Sequence, residues 1–281
     1  MDKKLEALKE EYKNLPIPKE LDEIIMKALP QKKKKKHYYI WPVGAAAAAL
    51  LLTATVNFSP DAAHAMSKVP FMKGIVEVIT FNEIKEENIN TSIDVKTPAI
   101  SGLENKTLED NLNEKYLEES KKLYEEFNAM GKDGHLAIDS DFETVTDTSI
   151  LLSIRRSIQT TQASGYEQNR YVTIDKENEV LITLKSLFEN EQYINVISEN
   201  IKEQMKLQMK ADPNKLYFIT DDEIEPFTQI DPNQQFYIRN DHKLVISFDE
   251  YEVAPGYMGA IEFEIPTEVI SDILVGERYI H

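Results

Sequence analysis

The stretch Tyr38–Phe58, YYIWPVGAAAAALLLTATVNF, decides how the rest of the chain is read, because it runs for 21 residues without a charge. As a helix rising about 1.5 Å per residue it would span about 31 Å, the thickness of a bilayer's hydrocarbon core. Tyr38, Tyr39 and Trp41 crowd one end, where amphipathic rings favour the membrane–water boundary. Five consecutive lysines, Lys32–Lys36, precede them. Cationic flanks stay on the cytoplasmic side, so the pattern predicts one transmembrane helix with its N-terminus inside and its C-terminus outside. A buried core helix would not need the lysines and the aromatic cluster.

A cleaved secretory leader is a second reading. Asp61-Ala62-Ala63-His64-Ala65-Met66 contains an A-x-A site behind Pro60. Signal peptidase requires small residues such as Ala63 and Ala65 in an extended segment, and the cut would fall before Met66. Secretory leaders carry a short basic lead, however, and here 37 residues precede the apolar run. The two signals together predict a single-pass anchor with a cleavable site, and so regulated cleavage. Gly44 and Asn57 weaken the anchor as a helix, which favours cutting within the membrane.

Charge divides the chain in the same places. Residues 1–37 hold 11 Lys against 7 Asp and Glu, residues 38–65 hold only Asp61, and residues 66–281 carry a net −20 of the total −17. A region that acidic repels nucleic acid and suits a cationic partner. The 281 residues include no cysteine, which excludes disulfides, thiolate nucleophiles and zinc–thiolate sites.

Residues 1–37 read as a cytoplasmic segment of two short amphipathic helices. Leu5, Leu8 and Tyr12 line the first and Leu21, Ile24 and Ile25 the second, with Pro16 and Pro18 between them. So small a unit cannot bury both stripes by itself, so they are candidate contacts to a larger cytoplasmic protein. Residues 59–90 read as the cleavage site and a stalk. Beyond it the pattern is α+β: a two-part extracellular ectodomain with antiparallel sheets, its units spanning 91–185 and 186–281. In the first unit a helix is expected at about 107–128, opened by a Thr107/Asp110 capping box, then strands at Leu136–Val145, Ile150–Thr160, Arg170–Ile174 and Val180–Leu184. In the second, a helix at about 189–210 precedes strands near Leu216–Ile219, Phe236–Arg239, Lys243–Phe248 and Ile261–Ile265, and a short helix over Thr267–Leu274.

The search for chemistry is mostly negative. GxSxG, HExxH, P-loop and GxGxxG patterns do not occur, and Asp139-Ser140-Asp141 lacks the glycine and distal glutamate of a calcium loop. Neither an enzyme, a metal nor a cofactor is expected. A signal-anchored enzyme or secreted inhibitor acting on peptidoglycan is the alternative, since two carboxylates suffice for glycoside hydrolysis. Two loops have the character of binding features instead. Pro255, Gly256, Tyr257 and Met258 put an aromatic and a thioether into a stiff turn, a low-entropy anchor. Ser164, Gly165 and Tyr166 set an aromatic in a small polar loop.

Several long segments carry a specific resemblance: EEYKNLPIPKELD from Glu10, PDAAHAMSKVP from Pro60, SIDVKTPAISGL from Ser92, ETVTDTSILLSIRRSI from Glu143, DPNKLYFITD from Asp212, HKLVISFDEYEVAPGYMG from His242 and LVGERYIH at the end. Through them nearly the whole chain resembles the lysozyme-sensing anti-sigma-V factors of Gram-positive bacteria. The resemblance implies a cytoplasmic segment that sequesters an extracytoplasmic-function sigma factor, and outer domains that bind lysozyme over its substrate cleft. It also implies cleavage by signal peptidase and then a site-2 protease, which frees the sigma factor. Ala63 and Ala65 fall on the cleavage pattern, and Pro255 and Tyr257 on the lysozyme-contacting loop.

Overall fold

The computed structural model describes residues 76–130, 135–219 and 226–281. The cytoplasmic helices, the membrane span and the Ala63–Met66 site lie outside them. Among the described residues, no helix is long and apolar enough to cross a membrane.

A six-stranded sheet forms the framework, in the order β1 (Glu77–Glu87), β2 (Thr91–Ser101), β3 (Leu136–Asp147), β4 (Leu151–Thr161), β5 (Gly165–Asp175) and β6 (Val180–Ile182). All neighbours run antiparallel except β2 and β3, which are parallel and joined through α1 (Lys106–Met130). A parallel pair needs such a crossover, because its ends lie at opposite edges. Pro98 lies in β2 without an amide to donate, and β1 bulges beside it between Thr80 and Asn82. The expected stalk therefore ends earlier than the sequence indicates: residues 77–87 are the sheet's edge strand. Ile84 of that strand is buried against Ile93 and Val95.

The α1 helix lies on one face of this sheet and buries Leu112, Tyr116, Leu123 and Phe127, the stripe its periodicity predicts. Its cap is not Thr107. The Asn105 side chain accepts from the Leu108 amide at 3.2 Å, one residue outside the helix, where a short polar side chain can reach a free amide. Asn105→Ala should cost about 1 kcal/mol, read as a lower urea midpoint at unchanged slope. Beneath the helix, Arg156 of β4 is only 1% exposed. Its guanidinium donates to Glu119 at 2.9 Å and to the hydroxyls of Ser120 and Ser140 at 2.9 and 3.0 Å. A charge so deeply placed persists because donors and acceptors are matched on every side.

The opposite face carries the rest of the chain. After Ile182, Thr183 caps a 3₁₀ turn over Leu184–Leu187, so the expected strand stops two residues short of Leu184. Helix α2 (Gln192–Ala211) buries Tyr193, Ile197, Ile201 and Met205 against a three-stranded antiparallel sheet of β7 (Phe236–Ile238), β8 (Leu244–Phe248) and β9 (Ile261–Ile265). The predicted terminal helix divides into α3 (Thr267–Ile270) and a 3₁₀ turn at Ser271–Ile273. The predicted strand at Leu216–Ile219 is an irregular segment. It holds on through single bonds, Phe218 N to Val253 O at 2.9 Å among them, and buries Tyr217. One hydrophobic cluster joins Leu151, Ile182 and Leu184 to Phe248, Phe263 and Ile280, so a common core crosses the expected 185/186 boundary.

Candidate binding surface

Strand β5 is longer than its neighbour β6, which pairs only with Thr173–Asp175. Unpaired strand amides attract partners, and here the turn after β8 supplies them. Glu250 accepts from the Glu167 amide at 2.8 Å, while its own amide donates to Glu167 O at 3.0 Å. Asp249 accepts from the Asn169 amide at 2.9 Å and pairs with Arg170 at 2.8 Å. Gln235 Oε1 accepts from the Tyr171 amide at 2.9 Å. These bonds, between residues 64 to 83 apart in sequence, bring the two loops singled out above to the same edge.

The first is the β4–β5 turn, closed by Gln162 N donating to Ser164 O at 3.2 Å. Ser164 is exposed, Gly165 half-buried, and Tyr166 points outward from the start of β5. The second follows Val253 and Ala254, both buried, which anchor it to the core. Pro255 then precedes a 3₁₀ turn over Gly256–Met258. Tyr257 is 70% exposed, so it is a surface residue and not the packed corner that a Pro/Gly turn can also make. Its hydroxyl donates to Asn214 O at 2.9 Å, and Met258 Sδ accepts from the Leu216 amide at 3.3 Å. The ring is thus tethered at its hydroxyl while most of the residue stays exposed. Gly259 leaves the turn at φ 66°, a conformation that glycine takes without steric cost.

Between the loops stands Tyr251, whose ring centre is 6.4 Å from that of Tyr166. A Cβ on Gly256 would come within 2.3 Å of the hydroxyl end of the Tyr251 ring, so a larger residue there would displace that ring. Tyr251 carried no signal of its own in the sequence. Its relation to either loop exists only after folding.

A second polar centre ties down the end of the chain. Asp175 is fully buried. Burial alone would raise its carboxyl, but bonds from Arg278 at 3.0 Å, the Asn178 amide at 2.8 Å, the Tyr279 hydroxyl at 2.7 Å and the Asn178 side chain at 2.7 Å outweigh it and hold it well below the usual carboxylate range. A carboxyl depressed on folding stabilises the fold fully above its ordinary value near 3.8, and that stabilisation fades as the pH falls toward the folded value. Asp175→Asn should therefore cost about 1.5 kcal/mol at pH 7, and urea midpoints at pH 7 and pH 3 should show the gap to the parent protein narrowing in acid. Among the described residues, no group of three or more His, Asp or Glu converges to hold a metal ion.

Comparison with known proteins agrees with this architecture. The chain is 66% identical to the anti-sigma-V factor RsiV of Bacillus subtilis (strain 168) over 284 residues, covering 100% of both. The chain belongs to the anti-sigma-V factor family. Within it, residues 185–268 match the family described as a protein of unknown function, DUF3298. That match begins at the 3₁₀ turn after β6 and ends in α3. Two crystal structures of DUF3298 members share the fold. One, from Bacteroides fragilis, has a TM-score of 0.52 at 15% identity and covers 73% of this chain and 95% of its own. The other, from Pseudomonas aeruginosa, has a TM-score of 0.52 at 14% identity and covers 73% and 96%. The α+β architecture is thus shared well beyond the anti-sigma-V factors.

Proposed function

We propose that this chain is a single-pass membrane anti-sigma factor whose C-terminal region is a receptor for lysozyme. Residues 1–37 hold the sigma factor on the cytoplasmic side through Leu5, Leu8, Tyr12, Leu21, Ile24 and Ile25. The anti-sigma name of the 66%-identical relative supports that partner. Residues 38–58 cross the cell membrane. Outside, lysozyme binds the surface built from Ser164–Tyr166 and Pro255–Met258. Binding opens Ala63–Ala65 to signal peptidase, which cuts before Met66. A site-2 protease then cuts within the membrane and frees the sigma factor.

The observation that carries the receptor reading is the convergence of two neutral, aromatic-bearing loops on one edge of a region of net −20. Cationic lysozyme would be steered by the field and held by the desolvated rings. Steering acts on the association rate and is screened as the Debye length falls from about 30 Å at 0.01 M salt to about 3 Å at 1 M. Stopped-flow association with lysozyme should slow at least tenfold across that range, with dissociation changing less. An association rate indifferent to salt would remove electrostatics from the account, and no association at low salt would remove the receptor.

A further inference from the structure

Tyr251 has a left-handed backbone, φ 67°, in the turn between β8 and β9. For a residue with a bulky side chain that conformation costs on the order of 1 kcal/mol, which glycine or asparagine would avoid. Packing does not account for the expense, because the residue remains 49% exposed. What the strain achieves is placement. The ring leans on Tyr166 at 6.4 Å with planes 31° apart, and its hydroxyl end lies over Gly256, in the space a Cβ there would take. Tyr251 thus touches both loops along this edge.

We infer that Tyr251 joins the two loops into a single contact surface, and that it is itself a third aromatic contact for a cationic protein partner, alongside Tyr166 and Tyr257. The inference rests on the receptor reading and extends it to a residue and a geometry. Charge decides the kind of partner. Around Tyr251 stand Glu167, Asp249, Glu250 and Glu252, with Arg170 opposing them through its pair with Asp249. A second copy of this chain would bring the same acidic rim against itself, whereas a basic surface would be matched. Three tyrosines, each with two side-chain torsions and two of them braced by neighbours, lose little entropy on binding, as contact residues of high-affinity surfaces do.

The test uses the full chain in detergent, hen-type lysozyme as the probe, and three variants. Tyr251→Phe keeps the ring and should bind within about threefold of the parent. Tyr251→Ala removes it and should bind at least tenfold more weakly, chiefly through faster dissociation. Tyr251→Gly loses the ring but takes the left-handed turn freely. It should keep the parent's melting behaviour and show the same loss of binding, which separates contact from folding. Hydrogen exchange of the free chain gives a readout without any partner: the amides of residues 162–166 and 256–259 should exchange faster in Tyr251→Ala. Parent-like lysozyme binding by both Tyr251→Ala and Tyr251→Gly would overturn the contact role, and unchanged exchange would overturn the joining role. Self-association abolished by Tyr251→Ala while lysozyme binding persists would also overturn it. Failure of the parent chain to bind lysozyme would instead strike the receptor reading, with the exchange result still deciding whether Tyr251 joins the loops.

Discussion

Ala65→Trp should abolish release of the sigma factor while leaving lysozyme binding at the parent level. Signal peptidase accepts only small side chains at the residue before the cut, and tryptophan is the largest alternative. The position lies well away in sequence from Ser164–Tyr166 and Pro255–Met258, so receptor and substrate functions should separate cleanly in this variant. The expected effect is all or none. Cells exposed to lysozyme should keep the chain at full length, and transcription from sigma-dependent promoters should stay at its resting level. Two assays on one strain read this, immunoblotting of the chain and a promoter fusion. Cutting that persists at the same bond would show that another protease acts there.

Tyr257→Ala should weaken lysozyme binding at least about 30-fold, corresponding to roughly 2 kcal/mol at a contact hot spot. The ring presents 70% of its surface to solvent, yet its hydroxyl is fixed to Asn214 O, so it is exposed without being free. Such a side chain has most of its ordering cost met before a partner arrives. The fold should barely notice the change, because the core beneath is anchored by Val253 and Ala254. Tyr257→Phe helps to apportion the effect: it keeps the ring and loses the tether to Asn214, and so should fall between the parent and Tyr257→Ala. Calorimetric titration together with a thermal melt reads both. An unchanged affinity with an unchanged melt would move the contact elsewhere on the surface.

The long helices were legible because apolar residues at spacings of three and four leave no other face to bury; α1 and α2 both bury the stripe that their periodicity predicts. The strands β3 to β5 were legible from alternation, though β5 begins earlier than its apolar residues indicate, since Gly165–Asn169 pairs with β4 on one edge and takes bonds from the turn after β8 on the other. Strand β1 was read as stalk because its outer edge carries Glu83, Lys85, Glu86 and Glu87, and the bulge at Thr80 breaks the alternation. No strand was expected at β2; Pro98 by itself argues against a ladder there, and the bulge of its neighbour beside it accommodates the missing donor. The apolar run at Leu216–Ile219 misled in the other direction: its burial is met by single bonds to the turn at Val253, not by a partner strand. Both candidate loops could be named from their composition and the family resemblance. That they share an edge could not, because Asp249, Glu250 and Gln235 reach across the sheet to amides far off in sequence.

The link between a ligand captured on one side of the membrane and a cut in the chain is tested most directly by sequencing fragments from intact cells given graded, sublethal lysozyme. The account predicts a C-terminal fragment beginning at Met66 that is absent without lysozyme and rises with the amount bound. A fragment equally abundant without lysozyme, or one beginning at another residue, would contradict it.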